Sequence, residues 1–222
     1  MFSTSSIGPV LLATALAAQS FQPAVLQTNT IPGVSMAAVG GGEVFLELSV
    51  NRDGRVTSVR PLRTTPPFTD MVVRAVSNWS FAPAEDDAER AATEGDKLAR
   101  ERIETKVLAV AMYRPPALYT GTIGELPRTI AQASEDSAFP LMTVMPPYPP
   151  RALDAGLALL QVYVGVDGLV NDVKVFRSAP AFDSAATDAV RQWRFRPAVV
   201  RGRPVSTIVY VMFGFPAPIG GR

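Results

Sequence analysis

Two aspartates are the first residues of this chain that could take part in catalysis. Asp53 and Asp167 could form a pair of carboxylates for acid–base catalysis. Each is followed by glycine and lies between two runs of alternating polarity, a pattern typical of a hairpin turn, because glycine accepts the positive φ that a tight turn needs. We therefore interpret both aspartates as turn residues.

Five arginines form the other chemically suggestive group, and all lie in the last part of the chain. They are Arg191, Arg194, Arg196, Arg201 and Arg203. Alternation in Arg194-Phe195-Arg196 points both arginines away from a core. The cluster is a candidate docking patch for an acidic partner or an anionic polymer, and the simpler alternative is that it only keeps the surface soluble.

The composition argues against several classes of chemistry. The 222 residues include no histidine, the commonest general base and metal ligand, and no cysteine, so thiolate catalysis and disulfide bonds are excluded. The net charge of +1 gives no reason to expect a nucleic-acid partner. Gly40-Gly41-Gly42 precedes a predicted strand instead of opening a helix, which argues against a phosphate-binding loop. The sequence predicts a protein that is not an enzyme and that holds no metal or cofactor.

The elements that position these residues occur twice, at a constant offset of 114 residues. Asp53-Gly54 corresponds to Asp167-Gly168, and the run from Trp79 to Ala84 corresponds to the run from Trp193 to Ala198. A match of this length without a gap indicates two copies of one supersecondary unit. Both tryptophans fall on an apolar helical stripe, so we expect them in the core rather than as stacking platforms for a ligand.

Each copy predicts the order strand, strand, helix, strand. In the second copy two alternating runs flank Asp167-Gly168, a helical stripe runs from Phe182 to Trp193, and an apolar run at 207–215 ends the unit. The predicted fold class is α+β, with two tandem modules, each a three-stranded antiparallel sheet with one helix packed on a face. The sequence leaves open whether the two modules share one sheet.

The predicted domain boundaries follow the repeat. Residues 32–114 form the first module, with a charged insertion at 85–104, residues 115–145 form a linker, and residues 146–216 form the second module. The insertion is expected to be a soluble loop, or alternatively a solvated helix held by Asp96–Arg100 and Lys97–Glu101 pairs.

The first 19 residues form an uncharged apolar run that ends in Ala15-Leu16-Ala17-Ala18-Gln19. The run is shorter than the roughly 20 apolar residues of a membrane span, and its small-residue end is typical of an export cleavage site. We expect a signal peptide at 1–19, a periplasmic location and no integral membrane span. The alternative is an uncleaved segment that anchors the chain in the inner membrane.

The second copy resembles the C-terminal domain of the TonB family of periplasmic energy transducers. The matching residues are Pro147-Tyr148-Pro149-Pro150-Arg151-Ala152, Gly156, Val164-Gly165-Val166-Asp167-Gly168, Arg177-Ser178, Phe182-Asp183, and the run from Ala189 to Ala198, followed by Gly202 and Pro204. The first copy is similar to a degenerate member, since it keeps the Asp-Gly turn and the Trp-Ser-Phe-Ala-Pro-Ala run but lacks the Tyr-Pro motif.

This resemblance implies a non-catalytic protein that binds an extended peptide, the TonB box of outer-membrane receptors, by adding it as a strand to the edge of the sheet along the third strand. Such a role links the chain to TonB-dependent transport. The implied peptide-binding residues are Tyr148, Pro149, Thr207, Ile208, Val209, Tyr210, Val211, Met212 and Phe213. A second copy of the chain is the other partner that stays open. The alternative function is an envelope scaffold that dimerises or binds cell-wall polymer through the arginine patch.

The chain also departs from the pattern of the transducers. These have an N-terminal membrane helix and a long proline-rich spacer, whereas here the N-terminal run is short and no long spacer follows. The resemblance therefore implies the binding domain without implying the transducer role.

Overall fold

The structure, a computed structural model, describes residues 21–33, 41–87, 100–115, 126–150, 152 and 154–217. The predicted signal peptide at 1–19 lies outside these residues. Two helices form within the described part, and with nine and eight residues both are too short to span a bilayer.

The first module has eight elements. They are β1 (Val25–Thr28), β2 (Gly42–Val50), β3 (Val56–Thr64), α1 (Phe68–Val76), β4 (Ser80–Ala82), β5 (Ala84–Asp87), β6 (Arg100–Ile103) and β7 (Thr105–Tyr113). A two-residue strand, β8 (Arg128–Thr129), follows.

The second module repeats the same eight elements in the same order. They are β9 (Phe139–Met142), β10 (Gly156–Val164), β11 (Val170–Arg177), α2 (Asp183–Val190), β12 (Arg194–Arg196), β13 (Ala198–Val200), β14 (Arg203–Val205) and β15 (Thr207–Phe215). The repeat is therefore larger than the sequence predicted, since each module adds one strand before the predicted unit and three short strands after its helix.

The repeated turns and tryptophans behave as predicted. Gly54 and Gly168 have φ values of 79° and 76°, which confirms the tight turns at the two Asp-Gly pairs. Trp79 and Trp193 are both buried, and their indole N–H groups donate to the carbonyls of Thr30 at 2.8 Å and Val144 at 3.0 Å. Because these acceptors are themselves 114 residues apart, the repeat extends to the strand that precedes each unit.

The three long strands of each module and β8 form one mixed sheet of seven strands, in the order β11-β10-β15-β7-β2-β3-β8, and the short strands form separate two-stranded pairs. The α+β class is confirmed. Two separate three-stranded sheets do not describe the layout, because β7 and β15 pair with each other in parallel, Tyr210–Gly214 against Ala109–Tyr113. We call this pairing the seam; it answers the question that the sequence left open.

The two helices lie on opposite faces of the sheet. Residues an odd number apart on a strand point to opposite faces. On β15, Tyr210 packs against Trp79 with 5.8 Å between ring centroids, whereas Phe213 packs against Trp193 at 6.0 Å. Since the strand order is also reversed across the seam, the modules are related by an approximate two-fold rotation about an axis along the seam.

Two segments differ from their predicted roles. Part of the predicted linker forms β8 and β9, and β9 pairs with β12 as β1 pairs with β4, so it belongs to the second module. The ends of the charged insertion form the antiparallel pair β5–β6. The helical alternative is wrong for its two pairs, because Arg100 and Glu101 lie in β6; residues 88–99 lie outside the described residues.

Candidate functional site

The strand that the resemblance implied as a free edge is a central strand. β15 pairs along its whole length with β10 on one side, and Tyr210–Gly214 pairs with β7 on the other. Ile208–Phe215 is buried throughout. The expectation of an exposed edge at Thr207–Phe213 is therefore wrong, because the third strand of the first module already occupies the position that an incoming peptide would take.

Tyr148 and Pro149 lie near the end of this strand. The Tyr148 ring packs edge-on against Phe182 at 5.5 Å and Phe215 at 6.1 Å, and its hydroxyl donates to the carbonyl of Asp154 at 3.2 Å. Burial, and then the charge of Asp154, raises the pKa of Tyr148. These contacts close the core over the start of α2, and the structure places Tyr148 against Phe215 rather than against Thr207–Phe213.

Two of the five clustered arginines bind the charged insertion of the first module. Arg203 pairs with Asp86, whose side chain is fully buried, and Arg201 pairs with Glu101 and lies 3.5 Å from Asp86. Arg201 also donates to the carbonyl of Asp87 at 2.9 Å. We call these contacts the clasp; they connect the β5–β6 pair to the turn between β13 and β14.

The clasp also involves backbone strain. Arg201 is the one non-glycine residue with positive φ among the described residues, at 50°. The left-handed region costs a residue with a side chain about 1 kcal/mol. Arg201 makes its ion pairs from this conformation. The acidic partner of this part of the arginine cluster therefore lies within the chain itself.

The other three arginines are divided between two roles. Arg196 donates to the carbonyls of Ser134 at 2.7 Å and Ser137 at 3.1 Å, and so holds the segment before β9. Arg194 donates to the carbonyl of Trp193 at 2.8 Å and is exposed, as is Arg191. The candidate docking patch is thus not one surface of free guanidinium groups.

Glu47, a buried carboxylate of β2, holds the same segment from the side of the first module. It accepts hydrogen bonds from Arg60 at 2.6 Å, from the backbone N–H of Ser134 at 2.7 Å and from the Ser134 hydroxyl at 2.9 Å. Burial by itself raises the pKa of Glu47, but the hydrogen bonds from Arg60 and Ser134 outweigh it and lower the pKa below its ordinary value. Because Arg196 belongs to the second module and Glu47 to the first, the segment before β9 is held by both modules.

The sheet ends at β11 on one side, and no strand among the described residues pairs with its outer side. Its side chains fit an exposed margin: Asp172, Lys174 and Arg177 are charged and exposed, and Val175 is 41% exposed. Charged residues and irregular register protect natural edges from uncontrolled pairing, and β11 has shifts in register near both of its ends. β11 is therefore an edge of the described sheet that is open along its whole length.

Sequence reasoning missed β11, although two signals were present. The polar residues of β11 occur at both odd and even positions, which is typical of an edge strand rather than of a half-buried one. The third strands, in contrast, read as nearly continuous apolar runs, which is typical of central strands that are buried on both faces.

The opposite end of the sheet is partly covered. β8 pairs with Arg63 and Thr64 at the end of β3. Beside it lies a cleft of about 320 Å³ lined by Thr129, Ala131, Gln132, Ala133, Phe139 and Arg196. Exposed apolar residues also lie here: Leu126 and Ile130 flank β8, and Leu141 lies in β9. β8 therefore covers only the end of this edge, and residues 56–61 of β3 pair with no strand on their outer side among the described residues.

Acidic residues do not gather into a metal-binding group anywhere in the described part of the chain. The arrangement that the described residues do provide is a backbone edge with flanking charges, which suits the pairing of another extended chain.

Comparison with known proteins agrees with the repeat. The family model described as Gram-negative bacterial TonB protein C-terminal matches residues 30–97 and residues 144–216. The two matched segments correspond to the two modules and together cover more than half of the 222 residues. No curated protein matches the chain.

Proposed function

The chain belongs to the family of Gram-negative bacterial TonB C-terminal domains, and from this premise we propose that it binds extended peptide segments of envelope proteins by adding them as a strand to β11. The family consists of non-catalytic interaction domains of TonB-like envelope proteins. The proposed partners are the exposed TonB-box-like segments of outer-membrane receptors, and the proposed location is the periplasm.

The position of β11 at the end of the sheet is the observation that supports this proposal. An edge strand offers unpaired N–H and C=O groups whose pairing needs little side-chain identity. The seam removes the third strands of both modules from consideration, since each is paired on two sides. At the other end of the sheet, β8 pairs with the last two residues of β3, so the open edge there is shorter than on β11. The proposal therefore assigns to the second strand of the module the role that the resemblance gives to the third.

The scaffold alternative has less support from the same residues. Arg196, Arg201 and Arg203 already bind groups of this chain, so an anionic polymer would have to displace Ser134, Glu101 and Asp86. Strand addition needs no such displacement.

The absence of cysteine makes site-specific cross-linking the sharpest test. A single cysteine introduced as Lys174→Cys on β11 is the unique thiol of the chain. A receptor segment carrying a bromoacetyl group should label it, and the same segment without the reactive group should compete. The matched control is Arg191→Cys, which is also exposed but lies at the end of α2. Equal labelling of the two cysteines, or labelling that no receptor segment can compete for, would overturn the proposal.

A further inference from the structure

The last residues of β11 correspond to residues of β3 that the chain itself covers. β3 and β11 pair with the preceding strand with register shifts at equivalent places, between Phe45 and Leu46 in one module and between Leu159 and Leu160 in the other. At the end of β3 the outer side of Arg63 and Thr64 is occupied by β8, where Arg63 pairs with Thr129. On β11 the equivalent outer side has no partner strand among the described residues.

The contacts of β8 show what an extended segment does at this place. The backbone N–H of Ile130 donates to the carbonyl of Leu62 at 2.8 Å, and the Arg63 guanidinium donates to the Thr129 hydroxyl at 3.4 Å. Pro127 precedes the pair and favours an extended chain. The repeat places Phe176, Arg177 and Ser178 where Leu62, Arg63 and Thr64 lie, so the apolar, arginine and hydroxyl order is kept.

Arg177 differs from Arg63 in what surrounds it. Arg63 forms an ion pair with Glu43, and its guanidinium lies 5.2 Å from the centroid of the Phe45 ring. At the equivalent positions the second module has Leu157 and Leu159. Arg177 therefore lacks both the carboxylate and the ring, and it is exposed and contacts no charged or aromatic group among the described residues.

We propose that Phe176–Ser178 is the specificity-determining part of the β11 edge, and that it selects an extended segment of a partner protein with an acidic residue opposite Arg177, followed by an aliphatic residue. The acidic side chain replaces the carboxylate that Glu43 supplies to Arg63, and the N–H of the aliphatic residue pairs with the carbonyl of Phe176. This inference rests on the proposed function and adds the chemistry of the ligand and its register.

The occupant is a separate protein rather than a second copy of this chain. The chain's own extended segment, β8, is paired with β3. If β8 moved to β11 of another copy, it would cover one edge there but uncover the edge of β3, so no backbone pairing would be gained. β8 would also place Thr129 opposite Arg177, and threonine carries no charge to pair with the guanidinium. A segment from another protein adds backbone pairs without losing any, and it can bring the carboxylate.

Six-residue peptides with the sequence of residues 126–131 provide the probe, with Thr129 unchanged or replaced by Glu or Lys. Each peptide is titrated into the full chain up to millimolar concentration, and the amide chemical shifts should change at Phe176–Ser178. The Glu peptide should bind at least threefold more tightly than the Lys peptide, because opposite charges across a strand pair attract and like charges repel. N-methylation of the residue at the Ile130 position should weaken binding at least fivefold, since it removes one backbone hydrogen bond and adds a steric clash.

Charge exchange on the protein provides the decisive comparison. Arg177→Glu should reverse the preference so that the Lys peptide binds more tightly, whereas Arg191→Glu should leave the preference unchanged. Peptides that bind without regard to charge, that shift amides elsewhere, or that do not bind at all overturn this inference. The proposed function is judged separately by the cross-linking of receptor segments at Lys174→Cys, which does not depend on an acidic residue.

Discussion

The clasp yields a prediction whose size follows from the geometry. Replacement of Asp86 by asparagine keeps the shape of the side chain but removes the charge that Arg203 and Arg201 contact. A hydrogen bond to a charged group contributes roughly 1.5–3 kcal/mol, and breaking a fully buried ion pair costs roughly 3–5 kcal/mol. Because the two arginine side chains are 44% and 34% exposed, water can solvate them again once the carboxylate is gone.

We therefore expect Asp86→Asn to lower the free energy of unfolding by about 2 kcal/mol, towards the lower of these ranges. For a chain of this size the corresponding fall in Tm is roughly 4–8 °C. Urea unfolding followed by circular dichroism gives the free energy, and a thermal scan gives Tm. A double-mutant cycle of Asp86→Asn with Arg203→Ala should show a coupling of roughly 1 kcal/mol.

Asp87→Asn is the matched control, since it makes the same chemical change one position along β5, where the side chain is part-exposed and only the backbone carbonyl contacts Arg201. Its effect should stay within about 0.5 kcal/mol. A loss for Asp86→Asn no larger than that of the control, or a coupling of zero, would refute the claim that the insertion binds the second module.

Three further predictions concern the interior. Because the native pKa of Glu47 lies below its ordinary 4.5, its carboxylate stabilises the fold above that pH and loses this contribution as the pH falls through the lower value. Glu47→Gln should therefore cost about 2 kcal/mol at pH 7 and make urea stability decline less steeply in acid. Gly168→Ala should cost roughly 2–4 kcal/mol, since a Cβ there overlaps a backbone carbonyl, whereas Gly202→Ala, with equal φ but open space, should cost about 1 kcal/mol by the same assay. Gly214→Val should place a side chain against a ring across the seam and cost roughly 1–3 kcal/mol in urea unfolding, and Gly33→Val, in open space, should stay within about 0.5 kcal/mol.

Local features of the fold could be predicted from the sequence because they depend on neighbouring residues. The two Asp-Gly pairs specify their turns through the positive φ of glycine. The apolar stripe that ends in Trp193 specifies a helix and its buried face, and the offset of 114 residues carries both results to the first module. The α+β class follows from these elements alone.

The arrangement of the modules could not be predicted in the same way. An alternating or apolar run shows how many faces of a strand are buried, but it does not show which strand lies beside it. The pairing of β7 with β15 therefore had no local signal beyond the continuous apolar character of both strands. Likewise, Arg203 and Asp86 are 117 residues apart in the chain. The sequence therefore shows the cluster of arginines but not that Asp86 is the partner of one of them.

The candidate site was misplaced for this reason. The resemblance supplied a mode of binding, strand addition, and a strand on which it takes place in the family. In this chain β7 of the first module pairs with β15, the third strand of the second module. The open edge is therefore β11, the second strand of its module.

Amide hydrogen exchange measured by NMR distinguishes strands that are paired on both sides from strands that are paired on one side. Tyr210–Gly214 of β15 pairs with β10 on one side and, across the seam, with β7 on the other. Consecutive amides from Tyr210 to Gly214 should therefore all exchange slowly. On β11, slow and fast amides should alternate, since only the side facing β10 is paired, and addition of a bound receptor segment should slow the fast ones. Alternating exchange along Tyr210–Gly214, or uniformly slow exchange along β11 without a ligand, would contradict the assignment of β11 as the open edge.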